Sequence, residues 1–364
     1  MVCVSRCVRA PKTGLPSDRP FPPHLSHHLE GQRKPAEDQQ WGAAWWNTNP
    51  PVFYKDGPRH LYLTTNVVCD GVKKTGMCPH AGWDGPPNPG ARQTGLLYAN
   101  STDGLHWVKP KLGLVYAPPG PNGARSTANN IVLNNAGLGN GVFYDANKGM
   151  YRQFGHATAD HCPAGTKESS LSVSASADGL HNWGDCQSAS AMACAGDTSN
   201  NALWDSDLKQ YLAFTRIDTR TGEKTLGLRR EGRSVSTDFQ SWSQAEQVLH
   251  GEANYESYAL VPFKPAVGAS AGLYFGLGMF YNITGNGSTS WSPTADRGKV
   301  YCELLLSPTY GANWTRVAPG TAYIPHGPPG SPDSHTTYAA ARPFESPQAP
   351  GSTLLYYAGG NGQV

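Results

Sequence analysis

The sequence predicts an all-β fold, a five-bladed β-propeller whose last blade is incomplete within these 364 residues, and three observations predict it. Gly 42 and Pro 30 make up about a fifth of the chain, and that density of chain-turning residues suits short strands and disfavours a helical bundle. Four segments repeat a pattern of strand, Ser, tight turn and Trp. They are Leu96-Leu-Tyr-Ala-Asn-Ser-Thr-Asp-Gly-Leu-His-Trp107, Leu171-Ser-Val-Ser-Ala-Ser-Ala-Asp-Gly-Leu-His-Asn-Trp183, Ser234-Val-Ser-Thr-Asp-Phe-Gln-Ser-Trp242 and Leu304-Leu-Leu-Ser-Pro-Thr-Tyr-Gly-Ala-Asn-Trp314. Finally, no capped amphipathic helix of three turns occurs anywhere.

The elements follow in order. Pro51–Lys55 and His60–Asn66 read as strands, of the alternating or fully apolar kind found throughout the chain, and precede the first Ser-x-Asp-Gly turn. Asp103-Gly104 and Asp178-Gly179 are hairpin signals, because Gly supplies the positive φ that a tight turn needs. The second unit reads as Asn130–Leu133 with Gly141–Tyr144, then Met150–His156. The third opens with Asn201–Trp204 and Gln210–Arg216, the fourth with Tyr258–Phe263 and Gly272–Tyr281. The fifth has Thr337–Arg342 and Thr353–Ala358, which leaves two outer strands owing. Either residues of the N-terminal segment close the ring or the missing strands lie beyond Val364, since an unpaired edge invites aggregation. Successive tryptophans are 76, 59 and 72 residues apart, the spacing of four-stranded units. Each Trp is expected to close one blade against its neighbour.

Composition narrows the function. Lys+Arg 29 against Asp+Glu 27 gives a net charge of +2, too balanced for an electrostatic nucleic-acid binder. The longest apolar stretch, Ala271–Tyr281, is half a membrane span and is broken by glycines. Residues 1–40, rich in Pro, His, Arg and Ser, read as a disordered leader, and 41–364 as the propeller domain. Cys69 with Cys78 and Cys186 with Cys194 are expected to form local disulfides. No Cys-x-x-Cys pair or clustered histidines suggest a metal, and no cofactor is implied. Sequons at Asn100, Asn282, Asn286 and Asn313 join the loop cysteines in favouring a secretory-route protein, although no signal-peptide core is present. A monomer is expected.

The run Ser101-Thr-Asp-Gly-Leu-His-Trp107, followed by Lys109-Pro110, Leu112-Gly113-Leu114-Val115 and Asn129-Asn130-Ile131-Val132, resembles the invertase-like and arabinanase-like propeller glycoside hydrolases. The run from Asn49 through Asp56-Gly57 to Leu61-Tyr62-Leu63 is similar to the first-blade opening of that clan. The resemblance implies a carbohydrate substrate and an Asp, Asp, Glu set drawn from successive blades. Asn49 departs from it, because an amide can neither abstract a proton nor attack an anomeric carbon. Ser307-x-Thr309-x-Gly311 also resembles the Asp-box of sialidases, but no arginine triad is identifiable.

Side chains at the starts of inner strands converge on one mouth of a propeller channel. Those starts are Asn49, Asn129 or Asn130, Asp197, Glu252 or Glu256, and Asp333 beside His335. Asp197, Glu256 and Asp333 are therefore the candidate catalytic carboxylates: one protonated carboxyl to donate to the leaving oxygen, a second carboxylate to activate water or attack. Glu256 is the expected proton donor, since Tyr255, Tyr258 and the apolar strand behind it should desolvate it. Asn49, Asn130, His335, Arg216 and Trp46 are the candidate sugar-binding residues, Trp46 as a stacking platform. Asp145, Asp56 and Asp205 read as turn residues. Against the hydrolase stands a second class, a non-catalytic glycan-binding propeller descended from an enzyme whose base is gone, and a third reading is a sialidase-like enzyme.

Overall fold

The computed structural model describes residues 2–7, 26–28, 52–55, 57, 59–69, 91–104, 106–115, 126–134, 141–156, 171–184, 187–188, 199–218, 229–252, 255–265, 270–282, 298–331, 333–339, 342–345 and 353–360. Among the described residues every regular element is a strand. Near the N-terminus lie β1 (Val2–Cys7) and β2 (Ser26–His28). Four antiparallel strands, β3 (Val52–Tyr54), β4 (Arg59–Cys69), β5 (Ala91–Ser101) and β6 (Ile131–Asn134), then form a first sheet in that order. A second contains β7 (Gly141–Asp145), β8 (Met150–His156), β9 (Leu171–Ser176) and β10 (Gln187–Ser188). A third contains β11 (Asn201–Asp205), β12 (Gln210–Asp218), β13 (Arg229–Ser236) and β14 (Glu246–His250).

The remaining strands are β15 (Tyr255–Phe263), β16 (Tyr274–Asn282), β17 (Val300–Ser307), β18 (Thr315–Arg316), β19 (Thr336–Ala339), β20 (Phe344–Glu345) and β21 (Thr353–Gly360). They form one nine-stranded sheet with β1 and β2. Among the described residues its two halves, β15 to β18 and β19 to β2, are joined in strand pairing by the parallel pair Val300 and Thr336.

Two expectations change here. Val2–Cys7 pairs along its length with Thr353–Ala358, and Ser26–His28 pairs with β1. Two strands from the segment read as a leader thus complete the last sheet, the first of the two ways its open edge could be covered. Residues 130–133, read as an inner strand of the second unit, instead lead into the fourth strand of the first sheet. Asn129 donates its side-chain amide to the Val115 and Ser126 carbonyls, and Asn130 to Tyr98 O at 2.8 Å, which ties this segment to β5.

The core lies in slabs between successive sheets. Leu96, Tyr98 and Val132 meet Val142 and Tyr151; Phe154, Leu171 and Val173 meet Tyr211, Ala213 and Trp242; Leu212 and Phe214 meet Leu260, Tyr274 and Leu305. Val261, Leu277 and Met279 meet Tyr338, Leu355 and Tyr357. The Ser-x-Asp turns are built alike. In each, the Ser hydroxyl accepts the N–H of Gly104, Gly179, Phe239 or Gly311. All four of those residues have positive φ, Phe239 among them at +70°. In Asp103, Asp178 and Asp238 the carboxylate caps the following N–H groups. The tryptophan after each turn packs against the preceding sheet: Trp183 with the first, Trp242 with Phe154, Trp314 with Phe214. Trp107, in the first sheet, lies edge-on to Tyr356 of the last, whose hydroxyl donates to Gly104 O at 2.7 Å. The equivalence expected for the four tryptophans is present. Gly311 cannot be replaced without strain, because its φ is +76° and a Cβ would meet the Phe214 ring at 2.5 Å.

A second repeat is visible only in three dimensions. Asp145 and Asp205 are indeed turn residues, each capping the N–H two positions on. Each also accepts, at 2.5 Å, the hydroxyl of a tyrosine in the next sheet, Tyr211 onto Asp145 and Tyr274 onto Asp205. Burial pushes the Asp205 carboxyl up, but hydrogen bonds from Tyr274, the Leu208 N–H and Lys264 outweigh that and hold it below its ordinary range. Tyr211→Phe and Tyr274→Phe remove one donor from a buried carboxylate, so each should lower the unfolding free energy by about 1.5–3 kcal/mol. Denaturant midpoints test this, and unchanged midpoints in both variants would show that the bonds do not fasten the sheets.

Candidate active site

Strand ends of the third sheet and of both halves of the nine-stranded sheet gather at one edge. Asp218 at the end of β12 pairs with Arg229 at the start of β13. Tyr255 at the start of β15 pairs with Asn282 at the end of β16, and Val300 at the start of β17 with Tyr281. Thr336 at the start of β19 pairs with Gly360, at the end of β21, and with Val300.

Glu256 stands in this group, 5% exposed, opposite Tyr281. Its carboxylate is ion-paired with Arg229 of the third sheet. The Arg229 guanidinium also lies over the rings of Tyr258 and Tyr281, at 5.4 and 5.5 Å. Arg216 of β12 lies 4.8 Å over Tyr258 from another direction, and Tyr338 of β19 packs on the same tyrosine. Burial pushes the Tyr338 hydroxyl well above its ordinary range, with Tyr258 and Tyr281 adding to the effect. The third sheet and the two halves of the nine-stranded sheet thus contribute two arginines, a carboxylate and three tyrosines to one cluster. The desolvation expected of Glu256 is present. An arginine, which the sequence did not place there, stands at its side.

Behind this cluster is an acid that the sequence did not suggest. Glu231 is fully buried, neither of its oxygens has a hydrogen-bond partner, and it stands opposite Arg216 in the strand pairing. Burial raises it to about 8, against the attraction of Arg216. In the run Arg229-Arg230-Glu231-Gly232-Arg233 it reads as part of a solvated charged strand. Only the alternating burial of β13 turns it inward.

The other side of the group is the loop leading into β19. Asp333, 6% exposed, accepts the Ser331 hydroxyl at 2.7 Å and the Tyr357 hydroxyl at 2.8 Å. Gly327 lies so close that a Cβ there would come within 2.1 Å of the Asp333 carboxylate. His335 is buried beside it. On the third sheet, Ser199 holds φ +76° just before β11, buried, with no partner for its hydroxyl, while Asn200 accepts from Thr215 at 2.6 Å. Strain of this kind collects at sites where the surrounding structure over-determines the backbone.

The placement of the expected residues is therefore uneven. Glu256 and Arg216 share one cluster through Tyr258 and Arg229, and Asp333 and His335 lie at the same edge. Asn130 instead opens a fourth strand, with its amide bonded to backbone, so its expected place at an inner-strand start is not found. Asp197, Asn49 and Trp46 lie outside the described residues, as do Cys78, Cys186 and Cys194. Cys302 is a buried thiol that burial pushes far above its ordinary range. Of the sequons, Asn313 is exposed, but Asn282 is 3% exposed at the end of β16 and is closed to modification in the folded chain.

No known family profile and no curated protein matches the sequence. Among solved structures, the chain is similar to a glycosyl hydrolase from Bacteroides ovatus, 15% identical over 86% of this chain and 81% of that one, with a TM-score of 0.49. It is also similar to an N-acetylgalactosamine deacetylase from F. plautii in complex with blood group B trisaccharide, 14% identical over 87% and 86%, TM-score 0.46. A structure from work on GH130 mannoside phosphorylases and glycoside hydrolases is 12% identical over 87% and 85%, TM-score 0.47. Likenesses at this level assign no activity to the chain.

Glu231 makes a pH prediction. Its folded value, about 8, lies above the ordinary 4.5, so the neutral form stabilises the fold below pH 4.5. That contribution is lost as pH rises from 4.5 through 8, amounting to a few kcal/mol on the order of 1.4 per unit. Glu231→Gln should flatten this part of the stability curve and match or exceed the wild type at pH 8. Parallel slopes for the two proteins between pH 5 and 8 would contradict the burial argument.

Proposed function

We propose that the chain is a carbohydrate-active five-bladed propeller that hydrolyses a glycosidic bond at the edge where β12, β13, β15 and β19 converge. The five blades are the three four-stranded sheets and the two halves of the nine-stranded one, the last closed by β1 and β2 and locked to the first through Tyr356 and Gly104. The observation that carries the reading is the meeting of Glu256, Arg216 and Arg229 with Tyr258, Tyr281 and Tyr338, from what this reading takes as three successive blades. Tyrosine faces suit the apolar faces of sugar rings, while carboxylates and guanidiniums suit hydroxyls.

Glu256 supplies one carboxylate, and Asp197 and Asp333 are the candidates for the second. Cleavage needs a proton delivered to the leaving oxygen by one carboxyl, and water activated by the other adding its oxygen to the anomeric carbon. Arg216 and His335 bind substrate, with Asn49 and Trp46 as further contacts. Asn49, standing where the resemblance implies an acid, favours a second reading in which the propeller binds a glycan without cleaving it. In either case the chain works as a monomer on the secretory route, with the Cys69–Cys78 and Cys186–Cys194 disulfides closed.

A glycan array and a panel of aryl glycosides separate the two. If the chain is a hydrolase, Glu256→Gln should lower turnover roughly a hundredfold or more while glycan binding survives. Full activity in that variant would remove Glu256 from the mechanism. Binding without turnover of any glycoside would establish the non-catalytic reading.

A further inference from the structure

Three buried side chains at one level of the slab between the third sheet and β15 carry oxygens without a hydrogen-bond partner: both carboxyl oxygens of Glu231 and the hydroxyls of Ser257 and Ser199. Their residues are 0%, 0% and 1% exposed. Strand pairing turns the first two toward each other. Glu231 on β13 stands opposite Leu249, which packs with Leu212, Phe214 and Phe280 in that slab. Ser257 on β15 stands opposite Phe280. Residues directly opposite share a face of their sheet, so Glu231 and Ser257 enter the slab from its two sides. Contacts across the slab fix the level. Asn201 of β11 donates to Leu260 O at 2.9 Å, and Arg216, the other strand neighbour of Glu231, lies over Tyr258. Ser199, two residues before Asn201, comes to the same level as Tyr258 and its neighbour Ser257.

Buried polar groups take partners from the protein or from ordered water, because a bare one forfeits its hydration without return. The two hydroxyls donate and accept, and the carboxyl oxygens accept. A cation would meet the Arg216 guanidinium, whose attraction reaches Glu231, and an anion would meet the lone pairs of the Glu231 carboxyl. A neutral molecule that both donates and accepts suits the set, and between closely packed side chains that molecule is water, which binds buried sites through about three hydrogen bonds. We propose that Glu231 and Ser257, with Ser199 at the inner end of the row, hold ordered water between the third sheet and β15. The site needs no carbohydrate, and it stands whether or not the chain cleaves a glycoside.

The test uses the full chain and reads two quantities. Oxygen-17 magnetic relaxation dispersion counts long-lived waters, and the Glu231→Leu, Ser257→Ala double variant should hold at least one fewer than the wild type. The denaturant midpoint of Ser257→Ala carries a sign. A hydroxyl that binds water leaves that water short of a partner when it is removed, so the midpoint falls; loss of a dry, unpaired hydroxyl raises the midpoint or leaves it in place. In Glu231→Leu, which takes the carboxyl from the water, the same Ser257→Ala step should no longer lower the midpoint. An equal count of long-lived waters in wild type and double variant overturns the proposal, as does a raised or unchanged midpoint for Ser257→Ala in the wild-type background. If the Glu231 variants do not fold, the sign of the Ser257→Ala shift decides alone.

Discussion

Asp145 and Asp205 have no accessible surface, and a carboxylate so placed is tolerated only because hydrogen bonds replace the water it has lost. Part of that replacement comes from the neighbouring sheet, through the hydroxyls of Tyr211 and Tyr274. The bond is directional, so it sets the height of one sheet against the next. The apolar slabs between sheets supply most of the burial but are indifferent to small slides. The Asp–Tyr pairs and the tryptophans after each Ser-x-Asp turn remove that freedom. At the junction between last and first sheets the same task falls to Tyr356, bonded to the Gly104 carbonyl and packed on Trp107.

That fixed stacking makes the site possible. Arg216 and Arg229 leave the third sheet, Glu256 and Tyr258 one half of the nine-stranded sheet, and Tyr338 its other half. An ion pair between Arg229 and Glu256 and a guanidinium seat on Tyr258 both fail if the sheets slip by an ångström or two. The polar cluster is therefore a consequence of aromatic and carboxylate clamps elsewhere in the same sheets. Within it, charge is distributed by burial and pairing: Glu231 is driven toward its neutral form, Asp333 is fixed by two hydroxyl donors, and Glu256 is matched with a guanidinium.

Much of the fold was legible because it depends on local chemistry. Asp103-Gly104 and Asp178-Gly179 announce tight turns through the φ freedom of glycine, and short apolar runs such as Tyr211–Phe214 announce strands. The tryptophans at near-regular spacing mark the units. Phe239 shows the limit of this reading, since it adopts at φ +70° the conformation glycine takes in the equivalent turns, with its ring buried against Tyr211 and Trp242. The N-terminal strand was hidden in Val2–Cys7 because its partner is some 350 residues away, and no local pattern specifies pairing at that separation.

By itself the sequence determined the strands, the turns that join them and the places where acids could precede inner strands, all of which follow from backbone preference and period-two patterning within a few residues. Only the tertiary structure decided what those side chains meet. Asn130 faces backbone instead of a mouth, Glu231 is buried instead of solvated, and Glu256 stands beside an arginine from another sheet. Ionisation and hydrogen bonding are set by neighbours a few ångströms away, and here those neighbours lie tens of residues apart in the chain.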